Sequence, residues 1–442
     1  MLSRLALHRP ELRAWAMYDF ALSAVQTTVM VAVFPIFYIQ VAGAGGSATK
    51  AGQWWALSNG IAVAIVALLS PVLGAIADVA AAKKKLLAAW TVMGALGCAA
   101  MVFIGRGDLV LASVLFVLVA VAATTVVVFY DALLPHLAAS HEADRLSSAA
   151  FAVGYFGGGV LLAVQLLVIS KPAWFGLGGV DPTLPVRLSL LSVGVWWVAF
   201  SIPLFRRVPE PPRRFEADER EGESVVRVAF TRLAETFREL RTYKQAFLML
   251  VAFVLYNDGI TTVQRMATAY GTELGIARES LITAILIVQF IGVPATFLFG
   301  MLAGRIGARH AVVLGLAVYL GISVLGYFMK TATHFYLLAM LVGLVQGGTQ
   351  ALSRSLFASL IPAYKSGQFF GFYSVFAKFA GILGPFLFAA IIGATGSSRN
   401  AILAVTVFFI AGGALLMLVN VEEGERKARA VEEATRRASD AP

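Results

Sequence analysis

Residues 109 to 134 read LVLASVLFVLVAVAATTVVVFYDALL, a stretch whose first 22 positions carry no charge and whose one formal charge is Asp131. At a rise of about 1.5 Å per residue, such a run crosses the roughly 30 Å hydrocarbon layer of a bilayer as a single helix. Working outward, eleven more runs of this kind appear. In the first half they are Ala14 to Val41, Trp54 to Ala77, Leu86 to Ile104, Ala149 to Ser170 and Leu188 to Phe205. In the second they are Phe247 to Thr272, Ser280 to Gly304, Ala311 to Met329, His334 to Ile361, Phe369 to Ile392 and Ala401 to Asn420. Composition agrees: 59% of the 442 residues are hydrophobic and 14% charged, against about 45–50% and about 25% in soluble domains. A soluble globule, a disordered chain and a disulfide-stapled domain are excluded. The expected fold is an all-α integral membrane protein with twelve transmembrane helices in two pseudo-symmetric six-helix bundles.

Of the 35 lysines and arginines, 25 fall on the side of the N-terminus, 7 on the other and 3 within spans. This asymmetry predicts a cell (inner) membrane protein with both termini cytoplasmic. It also explains the net charge of +10, so no nucleic-acid partner is expected. Arg4, Arg9 and Arg13 resemble the start of a signal peptide, but the run behind them is too long and carries Asp19, so it reads as a retained helix. Residues 1–205 form the first bundle, 206–245 a cytoplasmic linker, 246–421 the second bundle and 422–442 a cytoplasmic tail. Within the linker, Val226, Phe230, Leu233, Phe237 and Leu240 recur at helical spacing beside four arginines, which predicts an amphipathic helix on the membrane surface. Cys98 is the single cysteine, the five histidines show no metal spacing, and there is no phosphate-binding loop or Gly-x-Ser-x-Gly. No metal, no cofactor and no enzymatic activity is expected.

The halves repeat each other. Tyr18 and Asp19, then Val25 and Gln26, match Tyr256 and Asn257, then Val263 and Gln264, with identical spacing. Gly74, Asp78 and Lys83 after helix 2 correspond to Gly300, Gly304, Arg305, Gly307 and Arg309 after helix 8. Internal repeats of this kind mark transporters whose two bundles rock about a shared site. Gly74-x-x-x-Asp78 with its lysines resembles the loop signature of the major facilitator superfamily, although Ala81, Ala82 and Gly304 depart from it. The resemblance implies that Asp78 bridges to a neighbouring helix end and steadies the outward-facing state. Longer stretches, Ala14 to Asp19, Tyr256 to Gly259, Gln264 to Gly271, Gln346 to Arg354 and Phe369 to Pro385, resemble the "unknown major facilitator" family. That family's fungal relatives are vacuolar amino-acid effluxers, and the resemblance covers nearly the whole membrane part. Asp131 stands where the family would carry Asn.

Ionisable residues inside spans cost about 2.5–3.5 kcal/mol each on insertion scales and so default to functional roles. Six occur: Asp19, Asp131 and Asp258 against Arg265, Arg354 and Lys378. By helical rise Asp258 and Lys378 lie near the midplane and are the candidates for substrate binding. Asp258 is either the proton-coupling carboxylate or a structural partner of Arg265, seven residues away on the same face. Asp19, Asp131 and Arg354 lie nearer the cytoplasmic ends and are the candidate gate, with Asp78 and Arg265 added to it. Gln346, Gln350 and Arg354 share one face of helix 10, while Gln26 and Gln264 occupy matched positions. These four glutamines, with Tyr18 and Tyr256, either line a cavity for a polar solute or glue the bundle by interhelical hydrogen bonds. The superfamily resemblance places helices 1, 4, 7 and 10 around that cavity. Gly154, Gly157, Gly158 and Gly159, with Gly292, Gly300, Gly371, Gly381 and Gly384, are expected to be sliding contacts between the halves. Trp54, Trp55, Trp196 and Trp197 are expected to anchor helices or meet lipid.

The function expected from all this is secondary transport of a small polar or zwitterionic metabolite by alternating access. The resemblance favours an amino acid, with protons as a candidate coupling ion and a monomer in the bilayer. The alternatives are an organic anion or lipid-like amphiphile held by Lys378 and Arg354, or a non-transporting receptor or scaffold. A lipid-acting enzyme built on Asp131 and His136 is the weakest.

Overall fold

The structure, a computed structural model, describes residues 6–45, 48–179, 181–212, 242–274, 276, 278–379, 383–395 and 397–439. The amphipathic helix expected from Val226 to Leu240 lies outside the described residues. The first bundle consists of α1 (Pro10–Ala42), α2 (Ala48–Val79), α3 (Lys83–Ala100), α4 (Leu109–Leu137), α5 (Ser140–Ser170) and α6 (Leu184–Arg207). The second begins with α7 (Lys244–Glu273), α8 (Arg278–Ile306), α9 (Ala308–Tyr327) and α10 (Ala332–Ser359). The eleventh expected run is carried by α11 (Ser366–Phe379) and α12 (Leu383–Thr395), on either side of positions outside the described residues. The last span is α13 (Ser398–Met417), and α14 (Val421–Ser439) forms the tail. Eleven helices among the described residues are long and apolar enough to span a membrane, and α11 with α12 supplies the twelfth.

Helix ends differ from the apolar runs because polar flanks continue the helices. α1 starts at Pro10, whose missing N–H costs nothing in a first turn, with Glu11 beside it facing the positive helix end. α10 starts where the Thr331 side chain accepts the His334 N–H. α1 also contains two wide π-helical segments, Gln26–Ala32 and Tyr38–Ala42, in which the Val33 N–H reaches back five residues to the Thr28 carbonyl at 3.0 Å. Pro35 follows the first of them; it offers no N–H to the turn before it, and its ring crowds that turn.

The surface is apolar outside and aromatic inside. Leu96, Val110 and Leu298 are among the most exposed side chains, which suits a lipid-facing belt, whereas Trp15, Tyr18, Tyr130 and Tyr256 are fully buried. Trp197 is buried too, packed on Gly94 between α3 and α6 and away from lipid. Its neighbour Trp196 stacks on Phe20 of α1 and donates to that residue's carbonyl at 3.2 Å.

The bundles meet through α5 against α8 and α10, and through α11 against α2 and α4. Gly300 abuts Ser148, Gly292 abuts Tyr155, and Gly371 abuts the backbone of Ser70 and Pro71, so these three glycines sit between the halves as expected. Gly154, Gly157 and Gly158 do not: they admit Asp19, Phe20, Ser23 and Thr27 of α1 and tighten the first bundle internally. Gly384 likewise packs on Thr262 and Asp258 within the second bundle.

Candidate functional site at the bundle interface

Arg354 lies five residues from the end of α10 and crosses the seam into the first bundle. Its Nη1 meets Asp131 Oδ1 of α4 at 3.1 Å and Asp19 Oδ2 of α1 at 3.4 Å. Its Nε donates to Ser147 Oγ of α5 at 2.9 Å and its Nη2 to the Ser147 carbonyl at 3.2 Å. The guanidinium also lies 4.9 Å from the Trp15 ring centre, 5.5 Å from that of Tyr130 and 4.5 Å from that of Phe151. Only 5% of the Arg354 side chain is exposed, with 5% for Asp131 and 13% for Asp19. A guanidinium this buried persists only when charges and hydrogen bonds on the opposing bundle replace its water.

The first bundle is built to present these acceptors. Trp15 Nε1 donates to the Tyr130 carbonyl at 3.0 Å, and the Tyr130 hydroxyl donates to the Trp15 carbonyl at 3.1 Å. The two rings stack 4.4 Å apart. This reciprocal clasp fixes α1 against α4 and so fixes the separation of Asp19 from Asp131. The Tyr130 hydroxyl also lies 3.2 Å from Asp19 Oδ2, so its single proton is shared between that carboxylate and the Trp15 carbonyl. Ser147 Oγ, accepting from Arg354, donates to the Ala351 carbonyl at 2.7 Å, and Ser355 of α10 donates to Asp144 at 2.6 Å.

A second interbundle clasp holds α2 to the start of α11. Asp78 accepts the backbone N–H groups of Gly367 at 3.1 Å and Gln368 at 2.8 Å, and its other partner is Lys83 at 2.5 Å. A carboxylate at these first-turn amides meets both free donors and the positive helix end. Nearby, Ser366 donates to the Ala132 carbonyl at 2.8 Å, and His136 Nε2 lies 3.3 Å from Ser366 Oγ and 3.5 Å from Lys83 Nζ. The cores of α2 and α11 touch through backbone, since a Cβ on Gly74 would fall on the Gly367 carbonyl. All these contacts lie in the half of the molecule that carries the N-terminus, so the conformation is closed at that face. Substituting Asp78 by Asn keeps the shape but removes the charge from Lys83 and the α11 amides. Charge-assisted bonds of about 1.5–3 kcal/mol are at stake. Asp78→Asn is expected to raise the fraction open at this face about tenfold, read from the distance between spin labels placed on α2 and α8.

The remaining predicted residues are distributed differently. Tyr18 is buried with its hydroxyl 2.6 Å from Thr91, and Tyr256 is buried with its hydroxyl 2.6 Å from Ser353, so in this conformation both tie helices together. Asp258 is fully buried in α7. Gln26 is exposed on α1; Gln264, Gln346 and Gln350 are half-buried, and Gln346 meets the Tyr155 hydroxyl. Gln350 and Gln346 follow Arg354 at one and two turns along the same face of α10, above the closed layer. Arg265 and Lys378 belong to α7 and α11, and their side chains lie outside the described residues. Among the six charges within spans, depth set Asp19, Asp131 and Arg354 apart as the candidate gate, and the structure brings these three together. Sequence reading missed Trp15, Tyr130, Ser147 and Phe151, which have no signal distinguishing them from packing residues.

Comparison with known proteins agrees with this architecture. The family described as "Vacuole effluxer Atg22 like" matches residues 53–429. The uncharacterised MFS-type transporter YxiO of Bacillus subtilis (strain 168) is 34% identical over 416 residues, covering 92% of this chain and 94% of that protein. Autophagy-related protein 22 of Yarrowia lipolytica is 28% identical over 314 residues, covering 65% of this chain and 52% of that longer protein. Among solved structures, the Escherichia coli fucose:proton symporter FucP superposes with a TM-score of 0.67 at 14% identity, over 93% of this chain and all of that one. A bacterial homologue of the iron transporter ferroportin gives 0.65 at 16% identity, over 92% of this chain and 98% of that one. With twelve spans in two bundles closed on each other by a charged seam, the chain is a major facilitator superfamily transporter and belongs to the vacuole effluxer Atg22-like family.

Proposed function

We propose that this transporter is a secondary active carrier of a small polar or zwitterionic metabolite, an amino acid in the first instance, and that it works by alternating access. The observation that carries the reading is the Asp19–Arg354–Asp131 lock. It joins the two bundles through ionic contacts that part as rigid units separate, at a face otherwise sealed by backbone contact. In this reading the locked face is cytoplasmic, as the lysine and arginine asymmetry predicts, and the protein resides in the cell membrane. Substrate enters from the opposite side and is held by Gln26, Gln264, Gln346 and Gln350. Lys378 takes its carboxylate, and Asp258 takes the amino group or a coupled proton. Arg354 already faces two carboxylates in this state, which favours Lys378 over Arg354 as the cation for substrate.

The amino-acid assignment is supported by the sequence resemblance to a family with vacuolar amino-acid effluxers among its fungal members, and by a set of candidate residues with both charge signs. Thermal unfolding of the purified protein, screened against amino acids, dipeptides, sugars and organic anions, tests it. A substrate at about a hundred times its Kd stabilises the folded state by about 2.7 kcal/mol. Wild type should be stabilised by an amino acid and Lys378→Ala should not. Stabilisation by organic anions alone would replace the zwitterion with an anion. Proton coupling is tested separately in proteoliposomes, where Asp258→Asn should transport without responding to a pH gradient; a response equal to wild type removes Asp258 from that role.

A further inference from the structure

In the first bundle, at the same face as the lock, α1 and α6 border an open groove of about 520 Å³. Arg13, Arg206 and Arg207 stand at its end where the helices leave the apolar belt, and Met17, Ile202 and Pro203 line it one turn deeper. All three arginines are exposed, and none makes an ion pair among the described residues. Three guanidiniums with no ion pair among the described residues, set over an apolar trough, match the polarity of an amphiphile: an anion at the membrane surface and a chain descending into the bilayer. Further along the same two helices Phe20 meets Trp196 and Phe200, with ring centroids 5.1 and 4.7 Å apart.

We propose that this α1–α6 groove binds an anionic phospholipid, its phosphate forked by Arg13, Arg206 and Arg207 and its acyl chain laid over Met17 and Ile202. The chemistry is that of guanidinium with phosphate, which favours planar two-point contact. The source is the bilayer, because Met17 and Ile202 belong to two helices long and apolar enough to span it, with the arginines at their polar ends. Basic pockets between transmembrane helices select anionic headgroups in this way, and each basic residue near a charged surface contributes about fivefold in affinity. The groove shares no residue with the Asp19–Arg354–Asp131 lock or with the side chains proposed to hold substrate. It therefore makes a claim about lipid dependence that stands whatever the solute is.

Native mass spectrometry of the full-length protein in neutral detergent, titrated with dioleoylphosphatidylglycerol or dioleoylphosphatidylcholine, provides the test. Wild type should retain the anionic lipid at least about tenfold more tightly. Arg13→Gln/Arg206→Gln/Arg207→Gln should reduce its retention to the level of the zwitterionic lipid, with binding of the latter unchanged as evidence of a folded protein. Should the triple variant fail to fold, Arg206→Gln alone should lower affinity about fivefold. A control triple at exposed basic residues of the same face, Lys85→Gln/Arg426→Gln/Arg437→Gln, should keep the preference. Equal retention of the two lipids, or an equal loss in the control, would refute the site. Displacement of the lipid by millimolar inorganic phosphate would reassign the arginines to a free anion and also overturn the proposal.

Discussion

Arg354→Gln should cut transport to about one hundredth of the wild-type rate and leave the protein held open at the locked face. Removing one partner from a buried ionic cluster typically costs about 3–5 kcal/mol, because the charges left behind stay desolvated and unpaired. Here two carboxylates, Asp19 and Asp131, lose their shared cation, and Ser147 loses the donor that orients it. The cost falls on the closed state alone, since an open face hydrates both acids. A penalty of that size shifts a two-state equilibrium by more than a hundredfold. Spin labels at Ala80 and His310, exposed positions on opposite bundles at this face, would report it by double electron–electron resonance in a Cys98→Ser background. The expected spectrum gains a long-distance population that wild type lacks. The triple variant Asp19→Asn/Asp131→Asn/Arg354→Gln separates causes. It should recover thermal stability without transport, and equal instability of single and triple variants would show that unpaired acids are not the source of the loss.

Gly74→Val should have an effect nearly as large by another route. Its side chain would be driven into the Gly367 carbonyl, and both elements at that point are helix backbone with no side chain to turn away. Overpacking of this kind costs about 1–3 kcal/mol, and again only where α2 and α11 are in contact. The same label pair should show the face opened, and uptake should fall about tenfold to a hundredfold. Gly60→Val is the control, because nothing lies within 4 Å of a Cβ at that position of the same helix. Wild-type distances and rates in Gly74→Val would mean that the two helices are not in register-locked contact in the membrane.

The spans were legible because a bilayer imposes one rule on every crossing helix, and that rule is written as uninterrupted apolar length. The lock was partly legible for the same reason: Asp19, Asp131 and Arg354 violate the rule, at similar depth and with opposite signs. Their setting was not. Whether Trp15 stacks on lipid or on Tyr130, and whether Ser147 faces a guanidinium or its own helix, depends on helix rotation, which an all-apolar run does not encode. The glycines of α5 illustrate this, since a small-residue stripe predicts close approach without naming the partner, and the partner proved to be α1 for three of the four. Tyr18 and Tyr256 occupy equivalent places in the repeat yet bond to different helices, α3 and α10. A sequence repeat conveys position along a helix, and the packing of neighbours decides direction.

The wide turns of α1 reach further than their own helix. The repeat between α1 and α7 runs from Tyr18 to Gln26, and Gln26 is the residue at which the π-helical segment begins. A π turn takes up an additional residue without advancing the phase of the following side chains. From Ala32 onward, residues of α1 therefore point about one position away from where the twofold relation to α7 would aim them. The twofold relation between α1 and α7 is for that reason inexact at the end of α1 away from the lock, so the two bundles present different groups there and one wall cannot be inferred from the other.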